Sequence, residues 1–269
     1  MVDSVESLAE RYGGGVMEKG DKGGICRVQR AYVGYRWDNG FHLKWGQFRL
    51  QFMREENVNP EYQLAADRSL TNEVFAQGDV QGIELGYSAE DFRIYAAFTD
   101  GFNSANTDVG DNTKSAAAYN EDGDIIAISP AIGNRFKDEA DVAFTARAEI
   151  RFAGTWDQFE DFTSMPGSEF GIMLGVAGHY QWTDSDRVSG IIGGDVSVLS
   201  WTADLSVEGD GWNLFAAVMG SYSDFDDVLV NTATGDTSDV SPDDYGITVQ
   251  GGIFIPETDW EFFARYDVT

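Results

Sequence analysis

Residue types that carry out enzymatic chemistry are scarce in this chain. It has two histidines, His42 and His179, and both fall at positions where we expect solvated polar side chains. Residues 86–90 (Gly-Tyr-Ser-Ala-Glu) lack the second glycine of a nucleophile elbow. The sequence contains no phosphate-binding loop and no dinucleotide-binding fingerprint. We therefore expect no enzymatic activity, no catalytic residue and no cofactor.

Metal-ligating residues form one short cluster. Residues 120–124 (Asn-Glu-Asp-Gly-Asp) place oxygen ligands at calcium-like spacing, but the later glycine and glutamate of an EF-hand are absent. We expect no dedicated metal site, and keep open that loop carboxylates hold divalent cations loosely. The single cysteine, Cys26, excludes a disulfide framework.

Charged residues that could act together occupy alternate positions of extended segments. They share the face opposite the apolar residues: Arg30, Arg36, Lys44, Glu84, Arg93, Arg147, Glu149, Arg151, Asp204, Glu261, Arg265 and Asp267. Rows of charge along a narrow aqueous passage focus its electric field and select the ions that enter. The basic members of this set are therefore candidate pore-lining residues.

Overall charge limits the class of partner. The chain has 18 Lys+Arg against 46 Asp+Glu and a net charge of -28, which argues against binding to nucleic acid. The long loops hold many of the acids, and residues 223–244 contain seven Asp and no Lys or Arg. No apolar run reaches the roughly 18 residues of a transmembrane helix. The N-terminus lacks a signal peptide, so the chain is either cytosolic or a piece of an exported protein.

The elements that must position these charges are β-strands. Residues 1–27 are irregular, and from residue 28 to 269 apolar residues recur with a period of two in about ten segments. Short links at 38–40, 88–91, 208–211 and 256–259, with a longer one at 153–169, alternate with polar segments at 53–79, 100–140, 183–194 and 223–244. Strict alternation of short and long links is typical of an outer-membrane barrel. At Gly46 the apolar phase reverses, which predicts a β-bulge.

Two architectures fit this alternation, and they differ in where the apolar face points. In a soluble sandwich it is turned toward a dry core, whereas in a membrane barrel it contacts lipid and the polar face lines water. A basic residue on the lipid face costs about 2–4 kcal/mol near the midplane, so a barrel requires charge on one face only. We favour the barrel. The alternatives are a soluble or surface-anchored β-sandwich that binds carbohydrate, and a non-conducting structural barrel.

Two blocks of the sequence carry a family resemblance. They are residues 31–56 (AYVGYRWDNGFHLKWGQFRLQFMREE) and 67–87 (DRSLTNEVFAQGDVQGIELGY). Their motifs Gly-Gln-Phe-Arg at 46–49, Arg-Glu at 54–55 and Asp-Arg-Ser-Leu at 67–70 resemble those of the phosphate-selective porin O and P family. Weaker similarity continues through residues 98–103, 144–152 and 260–267.

The resemblance implies an antiparallel up-and-down transmembrane β-barrel of about 16–18 strands, usually a homotrimer, with a basic constriction that passes anions. By this match Arg49, Arg54 and Arg68, together with Lys44, belong to the narrow part of the channel that sets its field. The family's signal peptide, first strands and terminal aromatic strand are absent from the sequence, and ten strands cannot close a wide channel. We therefore expect residues 28–269 to be an incomplete porin barrel.

These observations predict a porin of the bacterial outer membrane. Small anionic or neutral solutes or ions, phosphate among them, are expected to diffuse passively through a water-filled barrel. The acidic loops repel anions, although physiological salt screens this repulsion beyond about 8 Å, and they favour a general porin over a strictly phosphate-selective one. The expected partners are those solutes, outer-membrane lipid and further copies of the chain.

Overall fold

The computed structural model of the chain describes residues 30–101, 140–183, 196–225 and 243–269, together with four short strands between these ranges. Residues 1–27, which include Cys26, and the acidic cluster at 120–124 lie outside the described residues. The expectations for these segments stay predictions.

One antiparallel sheet of ten strands dominates the described part of the chain. Its strands in spatial order are β1 (Ala31–Arg36), β2 (Phe41–Arg49), β3 (Asp79–Ser88), β4 (Phe92–Thr99), β7 (Val142–Ala153), β8 (Gly171–Thr183), β9 (Val196–Gly209), β10 (Trp212–Phe225), β13 (Asp243–Phe254) and β14 (Glu261–Val268). Two separate hairpins pair β5 (Ala116–Tyr119) with β6 (Ile125–Ser129) and β11 (Leu229–Val230) with β12 (Thr237–Ser238). The predicted all-β, up-and-down arrangement of about ten strands is confirmed.

The sheet is open within the described residues, since β1 pairs only with β2 and β14 only with β13. Short links join β1 to β2, β3 to β4, β9 to β10 and β13 to β14, and residues 154–170 join β7 to β8. Every other link within the sheet is long, so the predicted alternation is confirmed. All short links therefore lie at one end of the strands, which we call the turn end.

The two faces of the sheet differ in both polarity and exposure. On the apolar face large side chains are exposed: Val33, Trp45, Ile83, Phe98, Phe144, Ile150, Val176, Leu205 and Ile247. On the polar face hydrophilic side chains are buried: Glu84, Arg147, His179, Thr202, Asp204 and Gln250. Soluble proteins show the opposite distribution, because burial of apolar area is what stabilises them.

Residues 50–78, the inserted segment, cover the polar face. They contain α1 (Arg54–Asn57), a 3-10 turn (Pro60–Tyr62) and α2 (Leu70–Phe75). A second 3-10 turn (Asp157–Glu160) lies in the β7–β8 link. Apolar residues of the inserted segment form a buried cluster with residues of that link and of the polar face: Phe52, Met53, Val58, Phe75, Phe162, Ala177, Phe215, Ala217 and Met219.

Strand β2 keeps one register along its whole length, so the bulge predicted at Gly46 is wrong. Gly46 has a φ of 131° but still pairs directly with Tyr32 and Gly82. Phe48 lies on the polar face and is buried with Val80. The apolar phase reverses because the polar face is covered near the inserted segment and becomes a local core there.

Contacts of the inserted segment show that the sheet is curved. A guanidinium nitrogen of Arg265 on β14 lies 3.7 Å from a carboxylate oxygen of Glu55, six residues beyond the end of β2. In a flat sheet eight inter-strand spacings would separate β2 from β14, or about 38 Å at about 4.8 Å each. Six residues reach at most about 20 Å, and two side chains do not span the remainder. The sheet must therefore wrap around the inserted segment.

Candidate functional site on the polar face

The inserted segment begins and ends at adjacent points and is tied together internally. Leu50 N donates to Gly78 O at 3.2 Å. Ser69 caps α2, because its Oγ accepts from Asn72 N at 3.0 Å. The carboxylate of Glu55 accepts from Ser69 N at 2.7 Å and from Ser69 Oγ, which joins α1 to the start of α2. Burial raises the pKa of Glu55, although the hydrogen bonds from Ser69 and the charge of Arg265 oppose this shift.

Glu56 brings together two of the four cations expected in the narrow part of a channel, Arg49 and Arg68. Its carboxylate lies 3.6 Å from Arg49 Nε and 3.3 Å from Arg68 Nε, and it accepts from Asn72 Nδ2 at 3.0 Å. Arg68 also donates to the carbonyl oxygens of Glu55 and Glu56, both at 3.4 Å. One carboxylate faces two guanidinium groups here, so a net positive charge remains.

Arg54 lies elsewhere, buried between the polar face and the β7–β8 link. Its Nε donates to Ser206 Oγ at 2.7 Å, its Nη1 to Phe159 O, and its Nη2 to Asp161 O at 3.0 Å. Burial lowers the pKa of Arg54, and nearby carboxylates, Asp204 first, oppose this shift. Burial also raises the pKa of Asp161. Arg54 therefore anchors the inserted segment to the sheet and to the link.

Arg147 is the central cation of the polar face. It binds Asp204 through two bonds, Nη1 to Oδ2 at 2.8 Å and Nη2 to Oδ1 at 3.1 Å, and its Nε donates to Glu149 at 2.8 Å. Its Nη1 also donates to Phe52 O of the inserted segment at 2.8 Å. The pair meets across β8 at Gly175, where a Cβ would lie 2.3 Å from Arg147 Nη2. Two carboxylates match this charge, and the side chain has no exposed surface.

Of the other predicted pore-lining cations, all except Arg36 contact a carboxylate or an aromatic ring among the described residues. Four form ion pairs: Arg30 with Asp79 at 2.6 Å, Lys44 with Glu84 at 2.8 Å, Arg151 with Asp91 at 3.2 Å, and Arg265 with Asp267 at 3.2 Å. Arg93 stacks on Trp156, with its Cζ 4.1 Å from the ring centroid. Arg36 is exposed and has no ion pair among the described residues.

The two histidines do not form a joint site. His42 on β2 packs against the ring of Tyr95, whereas His179 on β8 bonds Thr145 Oγ1 at 2.7 Å through Nδ1. Both lie on the polar face as expected, but the expectation that they are solvated is wrong. They are buried because neighbouring side chains and the inserted segment cover them, and the ring of Phe52 lies 6.3 Å from that of His179.

The sequence placed these cations on one face together with several of the acids that hold them, Glu84, Glu149, Asp204 and Asp267, but it did not single out the acids of the inserted segment. Glu55, Glu56, Asp204 and the cap residue Ser69 organise the site, and only Asp204 was noted as a polar-face residue. A serine followed by a short helix-compatible stretch is an N-cap signal that could have revealed α2. No comparable signal exists for the Arg147–Asp204 pair, because its members are on β7 and β9 and meet across β8.

The residues that the structure describes form neither a metal site nor a membrane-spanning helix. No group of three or more histidine, cysteine, aspartate or glutamate side chains is arranged to hold a metal ion in this part of the chain. None of the described helices combines the length and the hydrophobicity needed to cross a membrane. Comparison of the sequence with family models and curated proteins, and of the structure with solved structures, finds no match. The porin family resemblance therefore remains a resemblance.

Proposed function

We propose that the chain forms part of the wall of an outer-membrane porin. In this proposal the polar face lines a water-filled passage, the inserted segment narrows it, and small solutes or ions cross by passive diffusion without bond chemistry. The observation that carries the proposal is the inverted sheet, with exposed apolar side chains on one face and buried charges on the other. Lipid is the environment that favours this distribution.

The apolar face fits contact with a bilayer along the length of the strands. Val176 in the middle of β8 is 47% exposed, and Leu205 on β9 and Val218 on β10 are also exposed. Leaving so much apolar surface in water is unfavourable by about 25 cal/mol for each Å². Exposed aromatic residues near the turn end, such as Phe92, Trp212 and Trp260, match the interfacial belts of membrane barrels.

Selectivity would come from the cations whose charge is not fully matched. Arg49 and Arg68 share the single carboxylate of Glu56, and Arg36 is exposed. Arg147 is enclosed by two carboxylates, so it adds little to the field that a passing ion experiences. We accordingly assign the field-setting role to Arg49 and Arg68, with Arg54 and Arg147 as anchors of the inserted segment. The expected passage is general, with a preference for small anions.

A second candidate is a structural barrel that does not conduct. The packing of the inserted segment favours it, because Phe52 and Phe75 are buried against Phe215 and Met219 of the polar face. A passage filled by such a core would be closed until the segment moved. The two candidates share the membrane location and differ only in whether water and ions pass.

Conductance measurements separate these candidates. The full-length protein, reconstituted in a planar bilayer under a KCl gradient, should show discrete conductance steps and an anion-favouring reversal potential. The double variant Arg49→Glu/Arg68→Glu should move that potential toward cations, whereas Asp259→Lys in an exposed turn should leave it unchanged. A protein that inserts but never conducts would support the structural barrel. Conductance with an unchanged reversal potential in the double variant would remove the roles assigned to Arg49 and Arg68.

A further inference from the structure

The two edge strands of the ten-stranded sheet have no neighbour on their outer sides among the strands that the structure describes. β1 pairs only with β2, and β14 pairs only with β13. Every residue of β1 is exposed, and so are most residues of β14. An open edge presents a row of unpaired backbone N–H and C=O groups, to which a further strand can pair. The roles described so far do not account for either edge.

The backbone groups at both outer edges belong to residues of the polar face. At the β1–β2 hairpin Trp37 N donates to Phe41 O at 2.8 Å, and at the β13–β14 hairpin Ile255 N donates to Trp260 O at 2.9 Å. The backbone groups of successive residues in an antiparallel strand point alternately to its two sides. The outward groups are therefore those of Tyr32, Gly34 and Arg36 on β1, and of Glu261, Phe263 and Arg265 on β14. A β14 strand can thus pair with a β1 strand and keep the polar side chains of both on one face.

One register of this pairing joins two charges that lack an ionic partner. It places Arg36, at the turn end of β1, opposite Glu261, at the turn end of β14. Arg36 is exposed, and the carboxylate of Glu261 accepts hydrogen bonds from the neutral side chains of Thr163 and Asn213. Neither charge forms an ion pair with another described residue. Opposite charges on directly facing residues stabilise a pair of strands.

The same register accounts for two aromatic side chains that are exposed on the polar face. Tyr32 is 53% exposed and Phe263 is 49% exposed. Tyr32 comes to lie opposite Arg265, and Phe263 opposite Gly34. A guanidinium group can stack on a tyrosine ring, and an aromatic side chain can cover a glycine at a strand edge. A partner strand at each edge would therefore cover both rings.

Neighbouring registers bring like charges together. A shift of two residues, which keeps the faces in phase, places Arg30 opposite Arg265 in one direction and Asp38 opposite Glu261 in the other. Like charges on directly facing residues destabilise a pair of strands. The register described above instead places Arg30 opposite Asp267. The two edges are therefore complementary to each other in one register.

The inserted segment decides which β1 strand is available to β14. It packs on the polar face, where Phe52 and Phe75 form a core with Phe215 and Met219. A closed barrel of eight strands has room only for side chains, and diameter grows in proportion to strand number, so ten strands widen it by about a quarter. A helix with its side chains is about 10 Å across, and the segment contains both α1 and α2. Closure of one chain on itself would therefore expel the segment from its core.

We propose that β14 pairs with β1 of a second copy of this chain, in the register that places Glu261 opposite Arg36. The sheet has ten strands, so its two edge strands run in opposite directions. A twofold axis along the strands then makes both junctions antiparallel and identical, and the dimer closes into one barrel. This barrel has no open edge and has an even number of strands, as bacterial outer-membrane barrels do. It rests on the proposed function in one respect, because the passage that it encloses is the aqueous passage of that proposal.

Disulfide cross-linking in detergent tests which strands meet. All variants carry Cys26→Ser, which removes the single native cysteine. Val33 and Ala264 face each other in the proposed register as a non-hydrogen-bonded pair, with Cα atoms about 4.5 Å apart. Val33→Cys and Ala264→Cys are co-produced as separate, differently tagged chains and then oxidised. Cross-linked dimer should be at least about tenfold more abundant than with either variant alone, because a disulfide requires Cα atoms within about 7 Å.

Two further cysteine pairs separate the other outcomes. Ala31→Cys with Phe262→Cys uses the same strands and face but is four residues out of register, about 13 Å, and should not cross-link. Equal cross-linking of this control would overturn the register. An intrachain disulfide in Val33→Cys/Ala264→Cys, without cross-linking of the separate chains, would show that one chain closes on itself. No cross-link in any pair would show that the edges meet other strands, and either result would overturn the proposal.

Charge reversal tests the pair at the turn end. Arg36→Glu should shift the monomer–dimer equilibrium toward monomer by at least about tenfold, because two carboxylates then face each other at each junction. Arg36→Glu/Glu261→Arg should restore the dimer, as measured by analytical ultracentrifugation in detergent. A dimer that Arg36→Glu leaves unchanged would overturn the register. Cross-linked dimer without conductance would leave this proposal standing and remove the porin; conductance without cross-linking would do the reverse.

Discussion

The two faces of the sheet have the same alternating sequence pattern but opposite surroundings. On the apolar face Val33 is 75% exposed and Ile253 is 61% exposed, whereas on the polar face Arg147 is 1% exposed and Glu84 is completely buried. Alternation alone is compatible with a soluble sandwich, because it does not specify what each face contacts. The difference shows that the protein covers its charges with its own inserted segment and leaves its apolar side chains to an external environment.

The polar face is stable only because its charges are matched there. Arg147 has two carboxylate partners, and Glu56 is shared by two cations. Burial of an ion is unfavourable by several kcal/mol unless opposite charge and hydrogen bonds compensate for the lost hydration. The apolar face needs no such matching in a lipid environment. The two faces should therefore respond very differently to changes in charge.

The largest effect is expected from removing the central cation. Arg147→Met should lower the free energy of unfolding in detergent micelles by about 3–5 kcal/mol, because Asp204 would remain buried without its partner. The double variant Arg147→Met/Asp204→Leu should recover most of this loss. A loss below about 1 kcal/mol is typical of a surface ion pair. That result would mean that water reaches the polar face, and that the buried charges there do not depend on being matched.

A charge on the apolar face should have the next largest effect. Val176→Arg should destabilise the protein in a lipid bilayer by about 2–4 kcal/mol, because a basic side chain would enter hydrocarbon. The variant Asp259→Arg, in the exposed β13–β14 turn, provides the control. Denaturant titration in liposomes measures both. If Val176→Arg is as stable as its control, the apolar face does not contact lipid.

Two glycines of β8 allow the faces to be compared on one strand. A methyl group at Gly175 would lie 2.6 Å from Asp204 Oδ1, whereas a methyl group at Gly178 would meet no atom within 4 Å. Gly175→Ala should cost about 1–3 kcal/mol, as expected for overpacking, and Gly178→Ala should be close to neutral. Unfolding in micelles gives both values. Equal losses would show that β-strand geometry, and not the ion pair, determines the tolerance for a side chain.

The smallest effect concerns pH. The pKa of Glu55 is raised by burial, so between its ordinary value of 4.5 and its raised value the folded state holds more protons than the unfolded state. Stability should therefore fall as pH rises through this window and be highest at its acidic end. Hydrogen exchange in residues 50–78 measures the change, and Glu55→Gln should remove part of the pH dependence. If stability rises with pH in the wild type but not in Glu55→Gln, folding lowers the pKa of Glu55 and the prediction is wrong.

Sequence reasoning was accurate wherever neighbours along the chain decide the structure. The strands, the alternation of short and long links and the charges on one face were predicted, because side chains alternate with a period of two and turns join adjacent antiparallel strands. The predicted bulge at Gly46 and the predicted exposure of His179 to solvent were both wrong, and for the same reason. Both expectations assumed an uncovered polar face, and local pattern does not reveal which distant segment covers it.

The amino-acid sequence by itself determined that this chain builds a sheet with two unlike faces. These faces follow from local properties of the sequence: a period of two, turn residues between the strands, and charge confined to alternate positions. Any fold that keeps the strand register places these side chains on the same two faces. The tertiary structure alone decided that the inserted segment lies across the polar face, that Glu56 meets Arg49 and Arg68, and that Arg147 meets Asp204. These contacts join residues far apart in sequence, so they form only when the sheet curves and brings its separate strands around one segment.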